Sequence, residues 1–173
     1  LGKITLSDFL KNYISEKRGI VLNTAGKKIG EHKGAYFYTI GQRSGLGIGG
    51  FSKPHYIAEK NIKTNTITIA EGQENTSLHK KEIKLTNVNF IDPFTISRRP
   101  FAIFVRVRYR QPLTKAILWQ MVPIVKPSRI LDKVGTNSKW QIVFDEPQKF
   151  IAPGQSAVFY NKKGQMLGGG IIV

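Results

Sequence analysis

The stretch Phe101-Ala102-Ile103-Phe104-Val105-Arg106-Val107-Arg108-Tyr109-Arg110 decides the fold. Its odd positions are all apolar, and its even positions end in Arg106, Arg108 and Arg110. Side chains of a β-strand alternate between faces with a period of two, so the pattern reads as a strand with one apolar and one cationic face. The apolar row is expected to enter a core, and the three guanidiniums are expected to share the opposite face. Steps of about 7 Å along such a row approach the spacing of successive phosphates on a nucleic-acid strand. The planar arginine fork suits phosphate oxygens better than an ammonium does. A solvated outer strand is the plainer reading, but it leaves three like charges repelling one another where carboxylates are scarce. An anionic partner explains the row better, and it implies an RNA- or DNA-binding surface without a sequence preference.

Working outward, Lys115–Val125, Trp140–Phe144, Ser156–Tyr160 and Gln165–Val173 read as further strands. Turn signals at Glu146-Pro147, Pro153-Gly154 and Lys163-Gly164 separate them. Upstream, Gly19–Leu22 and Lys28–His32 flank an Asn23-Thr24-Ala25-Gly26 turn and form one hairpin; His55–Lys60 and Thr66–Glu71 form a second around Asn61–Asn65. Ala35–Ile40 is rich in aromatic and β-branched residues and reads as a strand, and Lys84–Phe90 alternates weakly. One short helix starts at Thr5-Leu6-Ser7-Asp8, with Phe9, Leu10, Tyr13 and Ile14 at helical spacing. The basic stretch Pro123–Lys139 reads as a loop or a long hairpin. Short strands with almost no helix predict a mainly β protein. A small β-rich domain over residues 1–95 carries the helix, and a small closed antiparallel barrel follows over 96–173. Pro93, Arg98, Arg99 and Pro100 mark the boundary within Asp92–Pro100.

Charge supports the polyanion reading. Among 173 residues, Lys and Arg outnumber Asp and Glu by 27 to 11. The excess is uneven: residues 1–97 hold 14 basic against 8 acidic side chains, and residues 98–173 hold 13 against 3. Such a chain attracts nucleic acid or an anionic surface. There is no cysteine, which excludes disulfides, thiolate catalysis and cysteine-type zinc sites within the chain. It begins with Leu1 and reads as a piece of a longer protein, with no export signal and no apolar run near the roughly 20 residues that span a bilayer. A soluble protein is expected.

A search for an active site returns no catalytic residue and no metal site. His32, His55 and His79 lie far apart without metal-ligand spacing, and Asp145 and Glu146 are adjacent, so a strand would aim them in opposite directions. Gly45-Leu46-Gly47-Ile48-Gly49-Gly50 matches G-x-G-x-x-G, but Phe51-Ser52-Lys53-Pro54-His55 follows where a dinucleotide fold needs a helix. The glycines serve either a tight structural loop or the close approach of an RNA sugar-phosphate backbone; the sequence leaves both open.

Taken together the motifs resemble those of the tRNA-specific 2-thiouridylase family. Gly30-Glu31-His32-Lys33-Gly34-Ala35-Tyr36-Phe37-Tyr38-Thr39-Ile40-Gly41-Gln42-Arg43-Ser44-Gly45-Leu46-Gly47-Ile48-Gly49-Gly50 resembles the signature of that family's central domain. Val107-Arg108-Tyr109-Arg110-Gln111-Pro112, Phe144-Asp145-Glu146-Pro147, the segment from Pro153 to Tyr160 and Leu167-Gly168-Gly169-Gly170-Ile171-Ile172 resemble its C-terminal barrel, in the same order. Ser7-Asp8-Phe9-Leu10 resembles the segment that follows the family's catalytic half.

The resemblance implies a six-stranded-type antiparallel barrel like those of translation factors, and a cytoplasmic enzyme. That enzyme uses ATP, with Mg, to adenylate C2 of the wobble uridine in lysine, glutamate and glutamine tRNAs. A persulfide charged by a cysteine desulfurase or by sulfur-carrier proteins then delivers sulfur. The ATP loop and the working cysteines belong to an N-terminal domain absent from this sequence, so no cofactor is expected here and the chain alone is expected to position tRNA without catalysing. Family tRNA contacts fall on Arg108, Tyr109 and Gln155. Arg106 and Arg110 join them from the arginine row, and Gln42 and Arg43 from the central signature. Tyr109 conflicts with the alternation, which points it inward. Lys126, Arg129, Lys133 and Lys139 extend the basic surface. The alternative is a stand-alone RNA- or protein-binding β-barrel module.

Overall fold

The computed structural model describes residues 6–43, 45–50, 52–91, 100–121 and 139–173. The chain divides into two compact units, Leu1–His79 and Lys80–Val173. Among the described residues no helix is long and apolar enough to cross a membrane.

In the first unit a short helix, α1 (Leu6–Lys11), precedes a four-stranded mixed sheet. Strands β1 (Gly19–Asn23) and β2 (Lys28–His32) form the expected hairpin. Its turn is fixed by Asn23, whose Oδ1 accepts from the amides of Ala25 (3.0 Å) and Lys27 (2.9 Å), while Gly26 takes the left-handed conformation. β3 (His55–Asn61) and β4 (Thr66–Glu71) form the second hairpin, and β4 runs parallel to β1, giving the order β2-β1-β4-β3. The strand expected at Ala35–Ile40 is absent. A 3-10 turn at Ala35–Phe37 replaces it, and Ala35, Phe37, Tyr38 and Ile40 are all buried. That burial lacks the two-residue alternation of a half-exposed strand. Asn65 ties the turn in place: its Oδ1 accepts from Ala35 N (3.0 Å), and its Nδ2 donates to the carbonyls of Lys17 (2.9 Å) and Arg18 (3.0 Å). Among the described residues no helix opens between Gly50 and β3, which begins at His55.

The second unit is a closed six-stranded barrel in the order β10-β5-β8-β7-β6-β9. Its strands are β5 (His79–Phe90), β6 (Phe101–Arg106), β7 (Thr114–Met121), β8 (Lys139–Lys149), β9 (Ser156–Tyr160) and β10 (Met166–Ile172). β5 pairs with β10 and so belongs to the barrel. The division therefore falls at His79, earlier than residue 95, because closure of the barrel needs a strand upstream of the proline-marked segment. The weak alternation of β5 has a local cause. Asn87 adopts φ 49 where the register with β10 shifts, and burial passes from Ile83 and Leu85 to Val88 and Phe90. The core is packed by Leu118, Ile142, Phe144 and Phe159, each at most 1% exposed, with Leu85, Trp140 and Ile172. Burying each such side chain stabilises the barrel by roughly 1.5–3 kcal/mol. The stretch read as a loop or hairpin at Pro123–Lys139, with Lys126, Arg129 and Lys133, lies outside the described residues except for Lys139, which begins β8.

Candidate nucleic-acid interface

The arginine row starts as the alternation predicts and then departs from it. Ile103, Val105 and Val107 are buried in the core, and Arg106 and Arg108 are half-buried. β6 ends at Arg106, however, and the chain turns at Arg108–Gln111, closed by Gln111 N donating to Arg108 O at 3.2 Å. Arg110 occupies the third position of this turn with φ 64. It does not continue the strand face, and Tyr109, expected to point inward, is 86% exposed. The single row of three is corrected to a strand-end arginine, Arg106, and two arginines of the following turn, Arg108 and Arg110. A chain that leaves the sheet at Arg106 has no pleat to alternate with.

Each of the three arginines lies over an aromatic ring. The guanidinium carbon of Arg106 is 5.8 Å from the Tyr160 ring centre, that of Arg108 is 6.0 Å from Phe150, and that of Arg110 is 5.3 Å from Tyr109. The topology brings these groups to one end of the barrel. β6 and β9 run antiparallel with Arg106 opposite Val158, so the exit of β6 adjoins the entry of β9, where Gln155 stands. Gln155 is anchored by its backbone, accepting from Ile172 N at 2.8 Å, while its side-chain Oε1 is buried without a hydrogen-bond partner among the described residues. Arg106 Nε is in the same condition. The Arg108–Gln111 turn is clasped from β8: Gln111 Nε2 donates to Gln148 Oε1 at 2.7 Å, and Thr114 Oγ1 donates to the same oxygen at 3.2 Å. Phe150, Tyr160 and Gln148 escaped the sequence reading, since their roles follow from register and a loop path that spacing does not encode.

In the first unit three ion pairs are formed: Lys11–Glu16 (3.4 Å), Lys28–Glu31 (2.9 Å) and Lys33–Glu16 (4.0 Å). Acids there are taken up locally. The Glu31 carboxyl is held below the usual range by the hydrogen bond from Lys28 and its charge, and Glu71 by Ser52 Oγ and Lys53 N. Residues 80–173 hold 16 basic against 5 acidic side chains.

The first unit holds a cleft of about 530 Å³ whose lining includes Lys11, Arg18, His32, Tyr38, Gln42 and Gly47. Two of its cations, Lys11 and Lys33, already pair with Glu16. Gln42 Oε1 accepts from Thr39 N at 3.0 Å, a role in shaping its own loop, and Arg43 is exposed. His32 is buried, with Nδ1 accepting from Gly34 N at 2.9 Å; desolvation pushes its pKa below the ordinary imidazole value. Lys60, desolvated, donates to Tyr38 O at 3.0 Å. These groups bind the fold together. Among the described residues no cluster of His, Cys, Asp or Glu is arranged to hold a metal.

Fold and rim define a class: a β protein of two units whose closed six-stranded barrel presents aromatic-backed arginines at one end. Residues 7–71 match the tRNA methyl transferase PRC-barrel domain family, and residues 131–172 match the aminomethyltransferase β-barrel domain family. The chain is 35% identical over 177 residues to the tRNA-specific 2-thiouridylase MnmA of Pseudomonas putida (strain W619). It is 38% identical to that of Buchnera aphidicola subsp. Acyrthosiphon pisum (strain APS) and 33% identical to that of Geobacillus thermodenitrificans (strain NG80-2). Each match covers 99% of this chain but only 42–44% of the relative, so the chain spans less than half the length of these proteins. Over nearly all of its length the chain is thus similar to part of the tRNA-specific 2-thiouridylases.

Proposed function

We propose that this chain is the tRNA-holding, non-catalytic part of a transferase that 2-thiolates the wobble uridine of tRNA, in the cytoplasm. The family relationship supports the enzyme class. The 173 residues contain no cysteine and no phosphate loop of the Ser-Gly-Gly-x-Asp-Ser type, so adenylation by ATP and persulfide transfer are assigned to sequence outside them. Lysine, glutamate and glutamine tRNAs are the substrates in this reading, and a cysteine desulfurase or sulfur-carrier protein is the donor. Leu1–His79 act as the central domain and Lys80–Val173 as the tRNA-binding barrel.

The observation that carries the reading is the group of arginines at the β6–β9 end of the barrel, backed by rings and without carboxylate partners among the described residues. A guanidinium held against a ring keeps its donors directed outward, where phosphate oxygens accept them. Arg106, Arg108 and Arg110 supply charge, Tyr109 an exposed ring and Gln155 an amide; Gln42 and Arg43 serve as lesser contacts on the first unit. Fluorescence anisotropy with labelled tRNA tests this. Affinity should fall steeply as salt rises, because bound phosphates release counterions. Arg108→Ala should weaken binding by about 1–2 kcal/mol. Salt-independent binding, no binding at low salt, or an Arg108→Ala variant that binds like the parent each overturns the proposal.

A further inference from the structure

The outward face of β7 is chemically unusual. Its buried positions Ala116 and Leu118 alternate with Lys115, Ile117, Trp119 and Met121 on the outside. Ile117 is 37% exposed, Trp119 44% and Met121 39%. The water-facing side of an antiparallel strand is normally polar, whereas here three successive outward positions, at steps of about 7 Å, are large and apolar. Among the described residues Trp119 is flanked by a strand on one side only. It faces Gln141 of β8, but β6 starts at Phe101, which pairs with Leu118.

Cations frame the patch. Lys115 precedes it on β7, Lys139 stands opposite Met121, and Phe104 opposite Lys115 leads along β6 to Arg106 on the same outward side. Among the described residues none of these cations pairs with a carboxylate. The face is therefore continuous with the arginine rim; the one carboxylate seen beside it among the described residues, Glu82, accepts from Gln141 Nε2 at 2.6 Å. An unpaired RNA nucleotide meets both halves of the chemistry, its base against the indole and its flanking phosphates against the lysines. We propose that the outer face of β7 is a stacking platform on which Trp119 receives an unpaired base of the bound RNA, with Lys115 and Lys139 facing the adjoining phosphates. The inference rests on the RNA-binding reading above and adds a contact to it.

The chain reports on this site by itself, because its other tryptophan, Trp140, is 2% exposed in the barrel core. A single-stranded oligouridylate should quench tryptophan emission saturably and protect Trp119 from acrylamide, while a duplex of the same length protects it far less. Trp119→Leu should remove the signal and weaken oligouridylate binding by about tenfold; Trp119→Phe, which keeps a ring, should retain most of the affinity. The inference falls if anisotropy shows the oligonucleotide bound while tryptophan emission and acrylamide access stay unchanged. It falls equally if Trp119→Leu binds as well as the parent, or if acrylamide cannot reach Trp119 in the free chain. In those cases the arginine rim still stands. Loss of all RNA binding at low salt overturns both readings together.

Discussion

Replacing Arg110 by glycine separates what the fold requires from what a polyanion requires. Arg110 sits at φ 64 in the third position of the Arg108–Gln111 turn, where glycine is the residue without steric penalty. Relief of the left-handed conformation should return roughly 1 kcal/mol. Against this, glycine's greater freedom in the unfolded chain costs about 0.5–1 kcal/mol. Loss of the exposed Arg110–Tyr109 stack costs about 0.5 kcal/mol more. These effects nearly cancel, so the melting temperature should move by no more than about 2 °C. Affinity should behave differently. One charge-assisted phosphate contact is worth about 1–2 kcal/mol, roughly a 5- to 30-fold loss, and the dependence of log K on log salt should shallow by about 0.7–0.9. Arg110→Ala is the control: it keeps the backbone strain but not glycine's extra unfolded-state freedom, loses the charge, and should lie within about 0.5 kcal/mol of the glycine variant in stability while binding as weakly. Thermal melts and tRNA titrations at several salt concentrations read all three proteins. Unchanged affinity and salt slope in Arg110→Gly would refute the reasoning, as would a stability loss beyond about 2 kcal/mol.

The remaining predictions concern the first unit. His32 is buried with Nδ1 accepting from Gly34 N, and desolvation lowers its folded pKa, so the unfolded chain binds the proton more readily. Stability should be full above the ordinary value of about 6.5 and fall as pH drops from there towards the depressed folded value, flattening below it; melts of parent and His32→Gln that respond alike across this window would contradict the assignment. Gly19→Ala should destabilise by about 1–3 kcal/mol, because its new Cβ would meet the Asn65 carbonyl oxygen and, at 2.5 Å, the His32 ring. Gly49→Ala, with open space and no left-handed φ, should be neutral or stabilise by up to about 1 kcal/mol; chemical denaturation of the pair checks the contrast, and equal effects would remove the packing argument.

What the sequence made legible was local. Asn23 to Gly26 carries its turn chemistry within four residues, and Ser156–Tyr160 alternates cleanly between bracketing turns, so both elements stand where the pattern puts them. Ala35–Ile40 misled because its aromatic and β-branched content reflects burial, while its conformation is set by Asn65, thirty residues away from Ala35 in the chain. β5 was undervalued because the bulge at Asn87 breaks the phase of its alternation. The site shows the same divide. Arg106 and Arg108 follow from the two-residue period, but Arg110 leaves the row through a turn closed by a hydrogen bond three residues long. Tyr160 and Phe150 reach the arginines only through β6–β9 register and the path after β8, which no single-strand pattern contains.

The choice of rings over carboxylates at the barrel end bears on mechanism. In the first unit lysines sit against glutamates, and such exposed pairs both neutralise charge and contribute little stability. A carboxylate placed beside Arg106 or Arg108 would hold the side chain in position but would have to be displaced, or left repelling, when a phosphate arrived. Tyr160 and Phe150 lie against the guanidiniums without accepting their hydrogen bonds, an arrangement that suits the proposed phosphate contacts. Phe150 takes a left-handed backbone, φ 57, to present its ring, a conformation that is costly for a bulky residue. The ring so presented lies 6.0 Å from the Arg108 guanidinium carbon.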